Sequence, residues 1–218
     1  MRNILYYGDS NTWGFDPVDG TRFPYEARWT SICAGLLGSE FNCIPAGMNG
    51  RTTVFDDPIK PLRNGYEEID HELQSHKPLD LVVVMLGTND LKFTDSKGSA
   101  AGLEQLVQRI LSANERFRFS SPVFLDEPAV LILSPVHLNA SFGTSGYDDV
   151  AESRLLAEHY REVAEKHDLH FMSAADIAWP SETDGVHLDK EAHRRLGESI
   201  AGKILEIFEA AEDSCCNQ

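Results

Sequence analysis

Basic residues are scarce in this sequence, with 19 lysines and arginines against 35 aspartates and glutamates over 218 residues, a formal net charge of −16. Proteins that bind phosphate backbones or anionic lipid surfaces carry clustered positive charge, which is missing here. No run of 18 apolar residues occurs, and no charged segment followed by an apolar one precedes the first predicted strand. We therefore expect no nucleic-acid partner, no membrane partner and a cytoplasmic location.

Cysteine is also rare, with four in the chain. Cys33 lies in a predicted helix and Cys43 in a predicted strand, whereas Cys215 and Cys216 are neighbours in a polar C-terminal segment. This spacing is neither that of a disulfide framework nor that of a metal site. We therefore predict Cys33 and Cys43 to be ordinary core residues, since a free cysteine behaves as a small hydrophobe.

Short apolar segments alternate with segments of helical periodicity along the whole chain. The predicted strands are residues 3–7, 41–45, 81–86, 130–133 and 169–172, and the predicted helices are 28–37, 66–76, 100–115, 149–167 and 190–211. This alternation predicts an α/β fold with a parallel sheet covered on both faces. Segment 81–86 is apolar at every position and should be the central strand. We expect one domain, residues 1–211, followed by a disordered polar tail, residues 212–218.

Glycine or polar residues follow the first three predicted strands, at the edge where open parallel sheets bind ligands. Gly8 and Asp9 lead into Ser10, the candidate nucleophile, after the first strand. Gly50 follows the second strand and can adopt unusual dihedrals that present its N–H to an oxyanion. Asn89 follows the third strand and offers an uncharged side-chain amide. We predict that the N–H groups of Ser10 and Gly50 and the amide of Asn89 form an oxyanion hole.

A carboxylate and an imidazole lie three residues apart near the C-terminus, at Asp184 and His187. This spacing lets them hydrogen-bond within one turn, so that the carboxylate fixes the imidazole tautomer. A serine hydroxyl needs a general base at neutral pH, and an imidazole with an unperturbed pKa near ~6.5 suits that task. We therefore predict a catalytic triad of Ser10, His187 and Asp184.

The blocks around Ser10, Gly50, Asn89 and His187, in this order, resemble the SGNH (GDSL-like) hydrolases, which are named for these four residue types. Within that superfamily the chain resembles the bacterial arylesterase and acyltransferase branch, through segments 9–14, 28–30, 50–53, 56–58, 85–90 and 184–187. One departure is Asn11, where the GDSL pattern has leucine. Because Asn11 performs no chemical step, this departure concerns acyl selectivity more than activity.

The resemblance implies a flavodoxin-like three-layer α/β/α sandwich, with the five predicted strands as its central sheet. It also implies hydrolysis of short acyl esters through an acyl-enzyme, with no metal or organic cofactor, and side activity as an acyltransferase or perhydrolase. The expected partner is a small-molecule ester, with Asn11, Trp13 and Val186 as substrate-binding residues. Homo-oligomerisation is expected too, with residues 65–71 and the long loops 51–65 and 136–148 as contacts.

Several alternatives stay open. The same triad with a wider, hydroxyl-lined cleft would suit a carbohydrate O-acetyl esterase, and a binder could have kept the fold without the activity. A receiver or nucleotide-binding module would need a phosphate loop, which the sequence lacks.

His71 and His76 are one residue too far apart for a zinc helix. Trp13 fits core packing as well as a pocket, and His137 fits a pocket wall or solvent. Four histidines are predicted to lie on the surface: His159, His167, His170 and His193.

Overall fold

Among the residues that the structure describes, five β-strands form the centre of the fold: β1 (Arg2–Gly8), β2 (Phe41–Gly47), β3 (Leu81–Met85), β4 (Val130–Ser134) and β5 (His170–Ser173). The structure is a computed structural model that describes residues 1–144 and 146–216, and for residues 213–216 it describes the backbone only. All neighbouring strands are parallel, in the order β2-β1-β3-β4-β5. The predicted five-stranded parallel sheet is therefore confirmed, and β3 is its central strand.

Within the described part of the chain, eight α-helices surround the sheet: α1 (Ser10–Trp13), α2 (Trp29–Leu37), α3 (Gly65–His76), α4 (Ser96–Leu111), α5 (Ala113–Arg116), α6 (Asp149–Ser153), α7 (Leu156–Lys166) and α8 (Lys190–Cys216). Helix α4 begins four residues before the predicted start, because Asp95 caps it by accepting a hydrogen bond from the Gly98 N–H. The two helices predicted over residues 100–115 and 149–167 are each divided into two.

Helix α8 continues to Cys216, through most of the segment that was predicted to be a disordered tail. Residues 217 and 218 of that segment lie outside the described residues. Among the described residues, no helix is both long and apolar enough to cross a membrane.

Two apolar layers separate the sheet from the helices, because successive strand residues point to opposite faces. Ile4 and Tyr6 of β1 pack in the layer that contains residues of α2 and α8. Leu5 and Tyr7 pack in the opposite layer, with residues of α3, α4 and α7. This arrangement is the predicted flavodoxin-like α/β/α sandwich.

The strand register brings the chain segments that carry the candidate site to one edge of the sheet. Gly8, the last residue of β1, is paired with Gly47 of β2 on one side and with Met85 of β3 on the other. The segments that follow these three strands therefore leave the sheet side by side. They contain Ser10, Gly50 and Asn89 respectively.

Candidate active site

Ser10 is the first residue of α1 and follows β1 after a single intervening residue, Asp9. The Asp9 carboxylate caps the helix by accepting a hydrogen bond from the Asn11 N–H at 3.0 Å. A Cβ atom at Gly8 would lie 2.1 Å from Thr12 Oγ1, so only glycine permits this close return of the chain. The turn holds Ser10 at the sheet edge with 7% of its surface exposed.

A continuous hydrogen-bonded chain joins Ser10, His187 and Asp184. The Ser10 Oγ atom lies 2.9 Å from His187 Nε2, and His187 Nδ1 lies 2.5 Å from Asp184 Oδ2. Since an ionised carboxylate only accepts, Nδ1 must donate, and in the neutral imidazole Nε2 then accepts from the Ser10 hydroxyl. The three predicted residues are therefore brought together in the orientation that proton transfer from Ser10 requires.

The environment of Asp184 keeps its side chain ionised. Its Oδ1 atom accepts hydrogen bonds from the backbone N–H groups of Val186 and His187, both at 2.9 Å. Partial burial opposes ionisation, but these bonds and the imidazole outweigh it and hold the pKa of Asp184 below its usual value. Asp184 thus remains a hydrogen-bond acceptor at neutral pH.

The His187 segment is fixed by contacts with residues distant in the sequence. Asn11 Oδ1 accepts a hydrogen bond from the Leu188 N–H at 2.9 Å, and Asn11 Nδ2 donates to the Val186 carbonyl at 3.4 Å. The Phe15 ring lies against the imidazole, with 4.2 Å between ring centroids. Asn11 was predicted to bind substrate, and its buried amide contacts the backbone on both sides of His187.

The amide of Asn89 lies among groups from the ends of β1 and β2. Its Nδ2 atom donates to the Arg51 carbonyl at 3.2 Å and lies 3.4 Å from Asp9 Oδ2. Gly50 immediately precedes Arg51 and has a φ of +81°, a left-handed conformation that favours glycine. Asn89 therefore lies close to the turn that carries Gly50 and to the residue that precedes Ser10.

The buried guanidinium of Arg51 anchors this turn, a function that the sequence analysis did not identify. Arg51 Nη1 donates to the carbonyls of Gly8 at 2.9 Å and Ala46 at 2.5 Å, near the ends of β1 and β2. The guanidinium carbon lies 4.1 Å from the centroid of the Tyr7 ring. One side chain thus ties the Gly50 turn to two strands of the sheet.

A second buried hydrogen-bond network, centred on Asp90, holds the segment that contains Asn89. Asp90 Oδ1 accepts from the Thr53 N–H at 2.8 Å, and Asp90 Oδ2 accepts from the hydroxyls of Thr53 at 2.5 Å and Ser99 at 2.8 Å. Ser99 Oγ in turn lies 2.7 Å from the Tyr160 hydroxyl. Burial raises the pKa of Asp90 to about 7, against the lowering effect of these bonds. Asp90 therefore links the segment after β3 to the segment after β2.

Two other predicted substrate-binding residues lie near the site but differ in exposure. Trp13 is half-buried at the end of α1, and the Arg22 guanidinium lies 5.0 Å from the centroid of its ring. Val186 is 9% exposed and belongs to the apolar layer under α3, α4 and α7. Trp13 therefore has the larger accessible surface for a ligand.

His193 was predicted to lie on the surface, and this prediction is wrong. The side chain has no exposed surface, and its Nδ1 atom accepts a hydrogen bond from the Trp29 N–H at 3.2 Å. Burial, the largest effect, lowers the pKa of His193 to about 4. Packing of α8 against α2 buries it, which the periodicity of α8 alone did not reveal. His137 is half-buried, and burial lowers its pKa below the usual value.

Comparison with known proteins identifies the class to which this site belongs. The model of the GDSL-like lipase/acylhydrolase family matches residues 6–195. A carbohydrate acetylesterase of Sinorhizobium meliloti, Est24, is 34% identical, with a TM-score of 0.88 over 95% of this chain and 100% of that one. An aryl esterase of M. smegmatis is 33% identical, with a TM-score of 0.86 over 94% of this chain and 99% of that one.

A putative arylesterase of Agrobacterium tumefaciens is 36% identical, with a TM-score of 0.85 over 95% of this chain and 100% of that one. A comparison with curated protein sequences gives no significant match. The chain belongs to the GDSL-like lipase/acylhydrolase family of the SGNH superfamily. It is an esterase of that family.

Proposed function

We propose that this esterase cleaves short-chain aryl or alkyl esters through an acyl-enzyme formed on Ser10. The observation that supports this proposal is the hydrogen-bonded chain from Ser10 Oγ through His187 to Asp184, with distances of 2.9 Å and 2.5 Å. A serine hydroxyl becomes a nucleophile when a positioned base removes its proton, and His187 Nε2 is the acceptor in reach.

The reaction proceeds in two halves. Ser10 Oγ attacks the ester carbonyl while His187 takes the hydroxyl proton, and the resulting imidazolium returns that proton to the departing alcohol or phenol. A water molecule then attacks the acyl-enzyme with the same base, which releases the acid and restores Ser10. Throughout, the Asp184 carboxylate orients the ring and stabilises its charged form.

The oxyanion of each tetrahedral intermediate would accept hydrogen bonds from the Ser10 N–H, the Gly50 N–H and the Asn89 amide. The first residue of a helix has no intrahelical partner for its N–H, so Ser10 offers a free donor. The Asn89 bond to Asp9 at 3.4 Å is long, and exchanging it for a bond to an oxyanion costs little. Trp13 and Val186 would contact the substrate beside these donors.

Replacement of the nucleophile tests the proposal directly. Ser10→Ala should abolish hydrolysis of p-nitrophenyl acetate and leave the thermal unfolding midpoint nearly unchanged, because it removes one oxygen atom. Ser75→Ala, at an exposed position of α3, is the matched control and should retain full activity. Wild-type turnover by the Ser10→Ala protein would refute the mechanism.

Carbohydrate O-acetyl ester hydrolysis is the second candidate function. The specific observation in its favour is the likeness to the Sinorhizobium meliloti carbohydrate acetylesterase. The same triad would serve both reactions, and the difference would lie in the alcohol that leaves. Comparing kcat/KM for p-nitrophenyl acetate and acetylated xylose separates them, since a carbohydrate esterase should prefer the sugar ester.

Three further properties belong to the same proposal. We propose a cytoplasmic esterase that also passes its acyl group to alcohols or peroxide, and that forms homo-oligomers through residues 65–71 and the loops 51–65 and 136–148. Added alcohol should then yield a new ester in competition with the free acid. Sedimentation should give a mass that is a multiple of the 24.3 kDa chain.

A further inference from the structure

Lys92 contacts the amide of Asn89 through a short hydrogen bond. The two residues are the first and last of a 3-10 turn, Asn89–Lys92, in which side chains three residues apart are eclipsed. The Lys92 Nζ atom donates to Asn89 Oδ1 at 2.6 Å, which is short for an N–H···O hydrogen bond. The local backbone geometry therefore places a cation directly on the oxygen of this amide.

This contact determines which way the Asn89 amide faces. A lysine ammonium has three donors and no acceptor, so the atom that faces it must be the amide oxygen. The NH₂ group is then turned to the opposite side, where the Arg51 carbonyl and the Asp9 carboxylate lie at 3.2 Å and 3.4 Å. That is the side on which β1 ends and Ser10 begins.

Lys92 is half-buried and contacts an aromatic ring as well as Asn89. Its ammonium lies 4.6 Å from the centroid of the Phe142 ring, which belongs to the loop after β4. Burial, the largest effect, and the nearby Lys60 hold the pKa of Lys92 below its usual value, although Asp9 and Asp57 favour the charged form. The Lys92 side chain, half-buried near Asp9 and Asp57, is hydrogen-bonded to the neutral amide of Asn89.

We propose that Lys92 is a positioning residue for catalysis, which holds Asn89 with its NH₂ group toward the oxyanion and polarises that group through the bond to Oδ1. The proposal rests on the esterase mechanism proposed above. Withdrawal of electron density at Oδ1 makes the N–H bonds better donors, and this gain is largest when a full negative charge develops on the substrate oxygen. Lys92 therefore acts on the transition state through Asn89, without contact with the reacting atoms.

A double-mutant cycle with p-nitrophenyl acetate, which is uncharged, tests this coupling. Loss of one oxyanion donor costs roughly 10²-fold or more in kcat, so Asn89→Ala should fall in that range. Lys92→Met removes only the orientation and polarisation and should lower kcat about 10-fold, with KM within about twofold of wild type. In the Asn89→Ala background, Lys92→Met should have no further effect, because the amide through which it acts is gone.

Two other variants complete the design. Lys92→Arg keeps a charged donor and should restore most of kcat, whereas Lys92→Gln keeps an uncharged donor and should restore less. Lys60→Met removes a nearby exposed cation without touching Asn89 and is the control for general electrostatics, with kcat unchanged. If Lys92→Met does not fold, the comparison of Arg with Gln at this position still measures the effect of the charge.

Three results would overturn the proposal: an unchanged kcat in Lys92→Met, an effect confined to KM, or an equal loss of kcat with and without Asn89. An effect on KM alone would mean that Lys92 binds substrate. None of these results bears on Ser10, because the Ser10→Ala variant tests the nucleophile independently of Lys92. Activity retained by Ser10→Ala would instead remove the mechanism on which the Lys92 proposal rests.

Discussion

Asp184→Asn is the change whose effect can be worked out most fully from the hydrogen bonds of the site. Asp184 uses both oxygens as acceptors: Oδ1 accepts from two backbone N–H groups, and Oδ2 faces His187 Nδ1. An asparagine must present its NH₂ group to one of these sides. If it faced the backbone, two N–H groups would lose their acceptor, at about 1–3 kcal/mol each. The amide oxygen will therefore face the backbone.

The NH₂ group of the asparagine then faces His187 and donates to Nδ1. The imidazole must place its own proton on Nε2, and in that tautomer Nε2 cannot accept the proton of Ser10. The same substitution in a serine protease triad lowers kcat about 10⁴-fold, which is about 5.5 kcal/mol of barrier at 1.36 kcal/mol per factor of ten. We expect a loss of that order here, with an unchanged fold.

The assay is the kcat for p-nitrophenyl acetate at neutral pH, with circular dichroism as the check on folding. Asp189→Asn is the matched control, because Asp189 Oδ1 accepts from the Ala192 N–H at 2.8 Å and does not touch the imidazole. Its kcat should stay within about twofold of wild type, since only a helix cap is altered. A kcat for Asp184→Asn within tenfold of wild type would refute the assigned tautomer.

Three further predictions concern the surroundings of the site. Gly87→Ala should lower the urea midpoint of unfolding by the equivalent of at least ~2 kcal/mol. The φ angle of Gly87 is +122°, and the added Cβ would lie 2.1 Å from the Tyr160 hydroxyl. An unchanged midpoint would contradict this packing of Gly87 against Tyr160. Asn11→Ala should lower kcat more than it raises KM, since its amide holds the backbone around His187. A change in KM alone would instead support the predicted substrate contact of Asn11. His193 has a pKa of about 4 in the folded protein and ~6.5 in the unfolded chain. As the pH drops from 6.5 to 4, the unfolded chain is protonated at this residue before the folded protein is. The free energy of unfolding therefore falls over this range. Between pH 7 and 4.5 the free energy of unfolding should fall by about 2 kcal/mol less in His193→Gln than in the wild type. Equal losses in the two proteins would argue against a buried neutral imidazole at position 193.

Much of the sheet could be predicted because its strands are short apolar segments with clear boundaries. The uniform apolar character of β3 predicted its central place, and the positions directly after β1 and β3 predicted that Ser10 and Asn89 lie at one edge of the sheet. Asp184 and His187 could be paired because their contact is local, three residues apart within one turn. These predictions depended on periodicity and on contacts within a segment, both of which are visible in the sequence.

The contacts that complete the site were missed because they join distant segments. Asn11 and Leu188 are 177 residues apart and meet only when the turn after β1 packs against the His187 segment. Phe15 reaches His187 in the same way, and His193 is buried by α2 rather than by its own helix. No local pattern in the sequence carries such information.

Lys92 is an intermediate case. Its contact with Asn89 is local, but it depends on a 3-10 turn, where an α-helix would not eclipse the two side chains. Asp90, which lies within this turn, accepts hydrogen bonds from Thr53 and Ser99 outside it. The spacing of Lys92 and Asn89 could be read from the sequence, but the 3-10 geometry that brings their side chains into contact could not.

Covalent labelling tests the central claim most directly. A fluorophosphonate reacts with a serine only when a neighbouring base activates its hydroxyl, and the phosphonylated peptide can be identified by mass spectrometry. We predict one adduct, on Ser10, that is absent in Ser10→Ala and forms far more slowly in His187→Ala. An unlabelled wild-type protein, or an adduct on another serine that persists in Ser10→Ala, would contradict the claim that His187 activates Ser10.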